Sequence, residues 1–167
     1  NFMPDTTVRL PDFVVPAGFT AGEALKHYSI EGLRTLGLLD KPEYVERMNY
    51  ELDVIEKQNF SKYFLTMKAI SDRAMAMQLT GPGRGSAAGS LVTYSLGITQ
   101  VDPIKHGLLF ERFMTKNQDG FPDIDYDVSD PMVLKERLIE EWGDTTVVPI
   151  SNWNTLQLKS LVKDISK

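Results

Sequence analysis

Between residues 20 and 77 apolar positions recur at helical spacing, with polar residues filling the gaps. Thr20, with Glu23 three residues on, is a capping-box signature and predicts a helix to roughly Gly37 whose apolar face carries Leu25, Tyr28, Leu33 and Leu36. Pro42 stands where a second helix can start, because the first turn makes no use of the missing N–H. Tyr44, Met48, Leu52 and Ile55 follow at spacings of four, four and three and predict one buried face. Ser61 to Met77 predicts a third helix, unusually apolar through Tyr63, Phe64, Leu65, Met67 and Ile70. These three helices, 20–77, read as core and scaffold leading into the remainder, with no chemistry of their own. Residues 1–19 are broken by Pro4, Pro11 and Pro16 and read as a linker or arm.

The pattern changes at Gln78. QLTGPGRGSAAGSLVTYSLGI predicts a short strand, a glycine-rich turn and a helix from about Ser86 to Leu96. FPDIDYDV, from Phe121, alternates polar and apolar with period two, which is strand behaviour. Pro131 opens a further helix, TTVVPI reads as a strand, and a last helix starts near Asn154. Helices followed by mixed elements point to an α+β class, with 78–167 as the mixed part.

Composition narrows the chemistry. The chain has 167 residues and no cysteine, which excludes disulfides, thiolate metal sites and a cysteine nucleophile. His27 and His106 are too few for a histidine-rich metal centre. No apolar run is long enough to span a bilayer, and the first residues lack a signal-peptide pattern, so a cytoplasmic setting is expected. A net charge of −5 argues against a chain whose main task is gripping phosphate backbone, but leaves metal-dependent chemistry open.

Two constellations can carry chemistry. In Gly81-Pro82-Gly83-Arg84-Gly85-Ser86, followed by Gly89-Ser90, glycines let backbone N–H groups approach an oxyanion, and a helix behind them would add its dipole. Ser86 offers a hydroxyl and Arg84 a planar fork for phosphate oxygens. No lysine follows at P-loop spacing, and no acidic residue is placed to read a ribose. The plain alternative is a turn without a ligand. In Asp123-Ile124-Asp125-Tyr126-Asp127, a strand would project three aspartates on one face. Clustered carboxylates need a neutralising cation, and hard oxygens suit Mg²⁺, two ions of which, about 4 Å apart, form the usual clamp for nucleotidyl transfer. The plain alternative there is a solvated acidic edge strand.

Taken together and in order, GPGRGSAAGSLVTYSLGITQVDPIKHGLLFERF followed by PDIDYD resembles the palm of bacterial DNA polymerase III alpha subunits, the C-family polymerases. YVERMNYELDVIEKQNFSKYFLTMKAI is similar to the segment before the glycine loop, and the likeness covers nearly the whole chain. The resemblance implies a nucleotidyltransferase-like palm, a small mixed sheet with flanking helices, here incomplete. It implies that Gly85 and Ser86 hold the triphosphate of a dNTP with help from Arg84, and that Arg112 lies near the phosphates. For Arg112, a salt bridge with Glu111 or a neighbour is the alternative. Asp123 and Asp125 match metal-binding catalytic aspartates, and Asp127 an acidic position that is a possible further ligand. The implied activity is template-directed DNA synthesis with two Mg²⁺ ions. Its implied partners are primer–template DNA and the rest of the polymerase or a complementing chain, since the family's third aspartate falls beyond Lys167. Departures are Met114-Thr115-Lys116 after FERF, and Ile150-Ser151-Asn152-Trp153-Asn154 where relatives tend to read Ile-Thr-Phe-Gly. Two other readings remain: a non-catalytic or split-gene piece that completes a partner chain, and a template-independent nucleotidyltransferase. Asp125→Asn, co-purification with partner chains and primer extension with and without template separate them.

Overall fold

The computed structural model describes residues 9–150. Thr20 caps α1 (Ala21–Thr35) as its spacing predicts: its Oγ1 accepts from the Glu23 N–H at 3.2 Å, and the Glu23 carboxylate accepts from the Thr20 N–H at 2.8 Å. Helix α2 (Pro42–Lys57) starts on Pro42, and α3 spans Ser61–Met77. Tyr44, Met48, Leu52 and Ile55 are all buried. On α1, Leu25 and Leu33 are buried, whereas Leu36 falls at the C-cap and is exposed.

Helix α1 packs on α3, on α2 and on a short helix α4 (Leu91–Ser95), which also meets α2. The core between them centres on Leu25, Ile55, Phe64, Leu91, Ile98 and Phe110. A smaller cluster of Ala74, Leu134 and Leu138 joins α3 to α5 (Pro131–Trp142). The Asp130 carboxylate caps α5 by accepting from the N–H groups of Met132 and Val133. In the N-terminal arm, a 3₁₀ turn at Asp12–Val14 lies on α3, and the Phe13 ring sits 5.2 Å from that of Trp142.

Three expectations need correction. The predicted α+β fold with a small mixed sheet is not found: among the described residues there is no strand, and the architecture is helical. The segment at Gln78 and the FPDIDYDV run meet only at an isolated antiparallel bridge, Thr80 to Val128. Two hydrogen bonds flank that bridge, from Gly81 N–H to Asp127 O and from Ser129 N–H to Leu79 O. A strand needs a partner along its whole length to pair its backbone groups, and this one is paired at a single point. The period-two pattern is expressed as burial without a ladder: Pro122 and Ile124 are buried while Asp123 and Asp127 are exposed.

The second correction concerns Ser86 to Leu96, which is broken rather than one helix. A 3₁₀ turn at Ser86–Gly89 is followed by an extended Ser90, whose hydroxyl accepts from Thr93 N–H and caps α4. Third, TTVVPI forms turns and irregular chain. The helix expected from Asn154 lies outside the described residues. No helix among the described residues is long and apolar enough to cross a membrane.

Candidate functional site

The break at Ser90 determines where the glycine loop can bind anything. The first N–H groups of α4 are not free for a ligand, because they point at the Glu51 carboxylate on α2: Leu91 N–H donates to it at 2.9 Å and Val92 N–H at 3.0 Å. Available donors must therefore come from the loop and the 3₁₀ turn ahead of the helix.

That loop lines a cavity of about 610 Å³, walled on one side by Gly85, Ser86, Ala88 and Gly89 and on the other by Gly107, Leu108, Leu109 and Arg112. Of the four residues singled out for phosphate, three line this cavity together: Gly85, Ser86 and Arg112. Arg112 lies on a 3₁₀ turn, Phe110–Arg112, anchored by the buried Phe110. The alternative of a salt bridge to Glu111 or a neighbour is not found: Glu111 accepts from the Tyr50 hydroxyl at 2.8 Å, and Arg112 makes no ion pair among the described residues. Gly107, Leu108 and Leu109 were not anticipated, since a turn after a proline carries no chemical signature.

Arg84, the fourth, lies outside the cavity lining. Its Nε donates to both oxygens of Asp127, at 3.0 and 2.8 Å, and its Nη2 lies 4.0 Å from Asp125 Oδ1. The guanidinium is held above its ordinary pKa, by the hydrogen bond and charge of Asp127 first, then by Asp125 and, more weakly, Asp123. One cation thus sits in the field of all three aspartates, and Asp127 is the one it occupies.

Asp125 touches the loop most closely. Gly85 has φ +70°, and a Cβ built there would fall 2.6 Å from Asp125 Oδ2, so only glycine allows both the backbone turn and the approach. Neither Asp123 nor Asp125 accepts a hydrogen bond among the described residues, and the Asp125 side chain is 38% exposed. Their hard oxygens suit Mg²⁺ in type. No group of three ligating side chains gathers among the described residues.

Sequence reasoning gives α2 only its buried face, as core and scaffold, and does not single out its charged residues. Arg47 and Glu51 stand at i and i+4 beside the apolar stripe, a pattern that commonly marks a solvated ion pair. The signal that could have singled them out is their place on the shoulder of the Tyr44, Met48, Leu52 and Ile55 face, where a charge is partly driven inward.

A sequence model described as the bacterial DNA polymerase III alpha NTPase domain matches residues 23–167. The DNA polymerase III subunit alpha of Bacillus subtilis is 42% identical over 167 residues, covering 95% of this chain and 14% of that protein. That of Aquifex aeolicus is 40% identical over 172 residues, covering 98% and 15%, and that of Mycobacterium leprae 40% over 163 residues, covering 95% and 14%. The chain spans about a seventh of the length of these curated relatives.

Proposed function

The chain belongs to the bacterial DNA polymerase III alpha family, and we propose that it carries part of the active site of a DNA-directed DNA polymerase. The observation that carries this reading is the single cavity lined by Gly85, Ser86 and Arg112, with the Asp125 carboxylate pressed against Gly85 beside it. Phosphate donors and metal-type acceptors then meet along one backbone loop.

In this reading the loop N–H groups and the Ser86 hydroxyl hold the β- and γ-phosphates of a dNTP, and Arg112 balances their charge from the other wall. Asp123 and Asp125 would hold Mg²⁺, which when bound would supply charge neutralisation on the phosphates and a more acidic primer hydroxyl. The primer 3′-oxygen bonds to the α-phosphorus, the bond to the bridging oxygen breaks, pyrophosphate leaves and the hydroxyl proton is lost to solvent. Arg84 keeps Asp127 neutralised, which limits repulsion within the aspartate run. With a net charge of −5, the chain leaves the grip on primer–template DNA to the remainder of the polymerase.

Asp125→Asn in the full-length polymerase tests the assignment. Primer extension should fall about a hundredfold or more with folding intact, and near-normal incorporation would sink the reading. Omitting the template should abolish incorporation; synthesis that persists would favour a template-independent nucleotidyltransferase.

A further inference from the structure

Both walls of the cavity are held from behind by one face of α2. Glu51 is fully buried, and its two oxygens receive four donors. Oε1 accepts from Arg47 Nε at 2.7 Å and Leu91 N–H at 2.9 Å; Oε2 accepts from the Ser90 hydroxyl at 2.8 Å and Val92 N–H at 3.0 Å. Burial, the largest influence, pushes the carboxyl pKa up, while the Leu91 and Val92 N–H groups, the Ser90 hydroxyl and Arg47 pull it back. Four donors and no acceptor match a carboxylate.

Arg47 extends the same contact to the cavity. Its Nη2 donates to Gly89 O at 2.8 Å and to Leu108 O at 3.1 Å. Gly89 belongs to the wall that carries Gly85 and Ser86, and Leu108 to the wall that carries Arg112. The planar guanidinium therefore bridges the two walls through their backbone carbonyls and is itself held by Glu51. The walls also touch at this point, since a Cβ on Gly89 would lie 2.7 Å from Leu109 O. One turn earlier on α2, the Tyr44 hydroxyl donates to Asp102 at 2.7 Å, and Asp102 caps the turn that leads to Gly107.

We propose that Arg47 and Glu51 are positioning residues for the nucleotide: they set the separation of the Gly85–Ser86 and Arg112 walls, and so determine how well a triphosphate is gripped. This inference rests on the polymerase reading above. Neither side chain lines the cavity, so both act through backbone they hold.

The two ends of the clamp fail differently. In Glu51→Gln, one oxygen becomes an NH₂ that faces donors; Ser90 can turn to accept, but a backbone N–H of α4 loses its partner. In Arg47→Met the walls lose their bridge and Glu51 loses its cation. Arg47→Lys keeps the charge beside Glu51 but offers a point rather than a fork to two carbonyls.

The test is steady-state single-nucleotide incorporation by the complete polymerase on primer–template, with thermal melts of each variant. Arg47→Met and Glu51→Gln should each raise KM for dNTP about tenfold, with kcat within about threefold of wild type and KM for DNA unchanged; Arg47→Lys should fall between. A wild-type KM for dNTP in folded variants would overturn the proposal, as would losses in kcat and in both KM values that simply track the melting temperature. Should Glu51→Gln or Arg47→Met not fold, Arg47→Lys decides: a raised KM for dNTP supports the clamp, and an unchanged one overturns it. Asp125→Asn run alongside separates the levels. An inactive Asp125→Asn with wild-type KM in the clamp variants removes the clamp alone, whereas an active Asp125→Asn removes the polymerase reading and this inference with it.

Discussion

On one flank of the cavity, the backbone from Ser90 to Val92 rests on a carboxylate with no exposure to water, tied by a guanidinium to two further carbonyls. On the other, the three aspartates lie on irregular chain joined to the glycine loop by one β-bridge and by an ion pair whose side chains are 63% and 50% exposed. Both flanks are polar and both hold charged residues close in sequence, Arg47 and Glu51 four positions apart and the aspartates two apart. Charge pairs in a dry interior are geometrically stringent and costly to break, whereas exposed pairs are screened and contribute little. The backbone behind the cavity is thus held by stringent contacts, and the carboxylates proposed to receive a metal are left with few protein contacts to give up.

The largest contrast should come from packing. Phe64→Ala, in the shared core with no exposed surface, should cost about 4 kcal/mol, and Ile124→Ala, which anchors the aspartate run, about 2 kcal/mol, both read by denaturant unfolding. Equal losses would mean that the aspartate segment is as integral to the core as α3. Tyr44→Phe should cost about 1 kcal/mol by removing the hydrogen bond to Asp102. It should also change the alkaline limb. Bonded to Asp102 and buried, the Tyr44 hydroxyl is pushed up to about 12, above its ordinary value of 10.0. Its stabilisation is then intact below pH 10 and lost as pH rises toward about 12, and Tyr44→Phe should flatten stability against pH in that window. The smallest effect is expected from the exposed pair: Asp127→Asn should leave Tm within about 2 °C of wild type at physiological salt. A larger drop would show that the aspartate flank is held as firmly as the clamp.

Much of the helical part was legible because its determinants are local. The Thr20–Glu23 box, Pro42 at a first turn and the Tyr44 to Ile55 spacing each specify structure through contacts a few residues apart. The aspartate run was half legible. Alternation told which side chains face inward, as Ile124 and Asp123 show, but not whether a neighbouring strand exists to pair with. The helix expected at Ser86 failed because its competitor was distant: Glu51, about forty positions earlier, takes the N–H groups that define where α4 begins. For the same reason nothing along the chain singled out Arg47 and Glu51.

From the sequence alone came the helices α1 to α3, the cap of α1, the glycine at an approach only glycine permits, and the residue types a phosphate or a metal would need. Tertiary structure decided which of them meet. It placed Gly85, Ser86 and Arg112 on one cavity, turned Arg84 onto Asp127, and buried Glu51 behind the loop. Periodicity and capping act over one or two turns and can be read along the chain; whether a charge is solvated or buried depends on which distant segment covers it, and that is settled only when the helices pack.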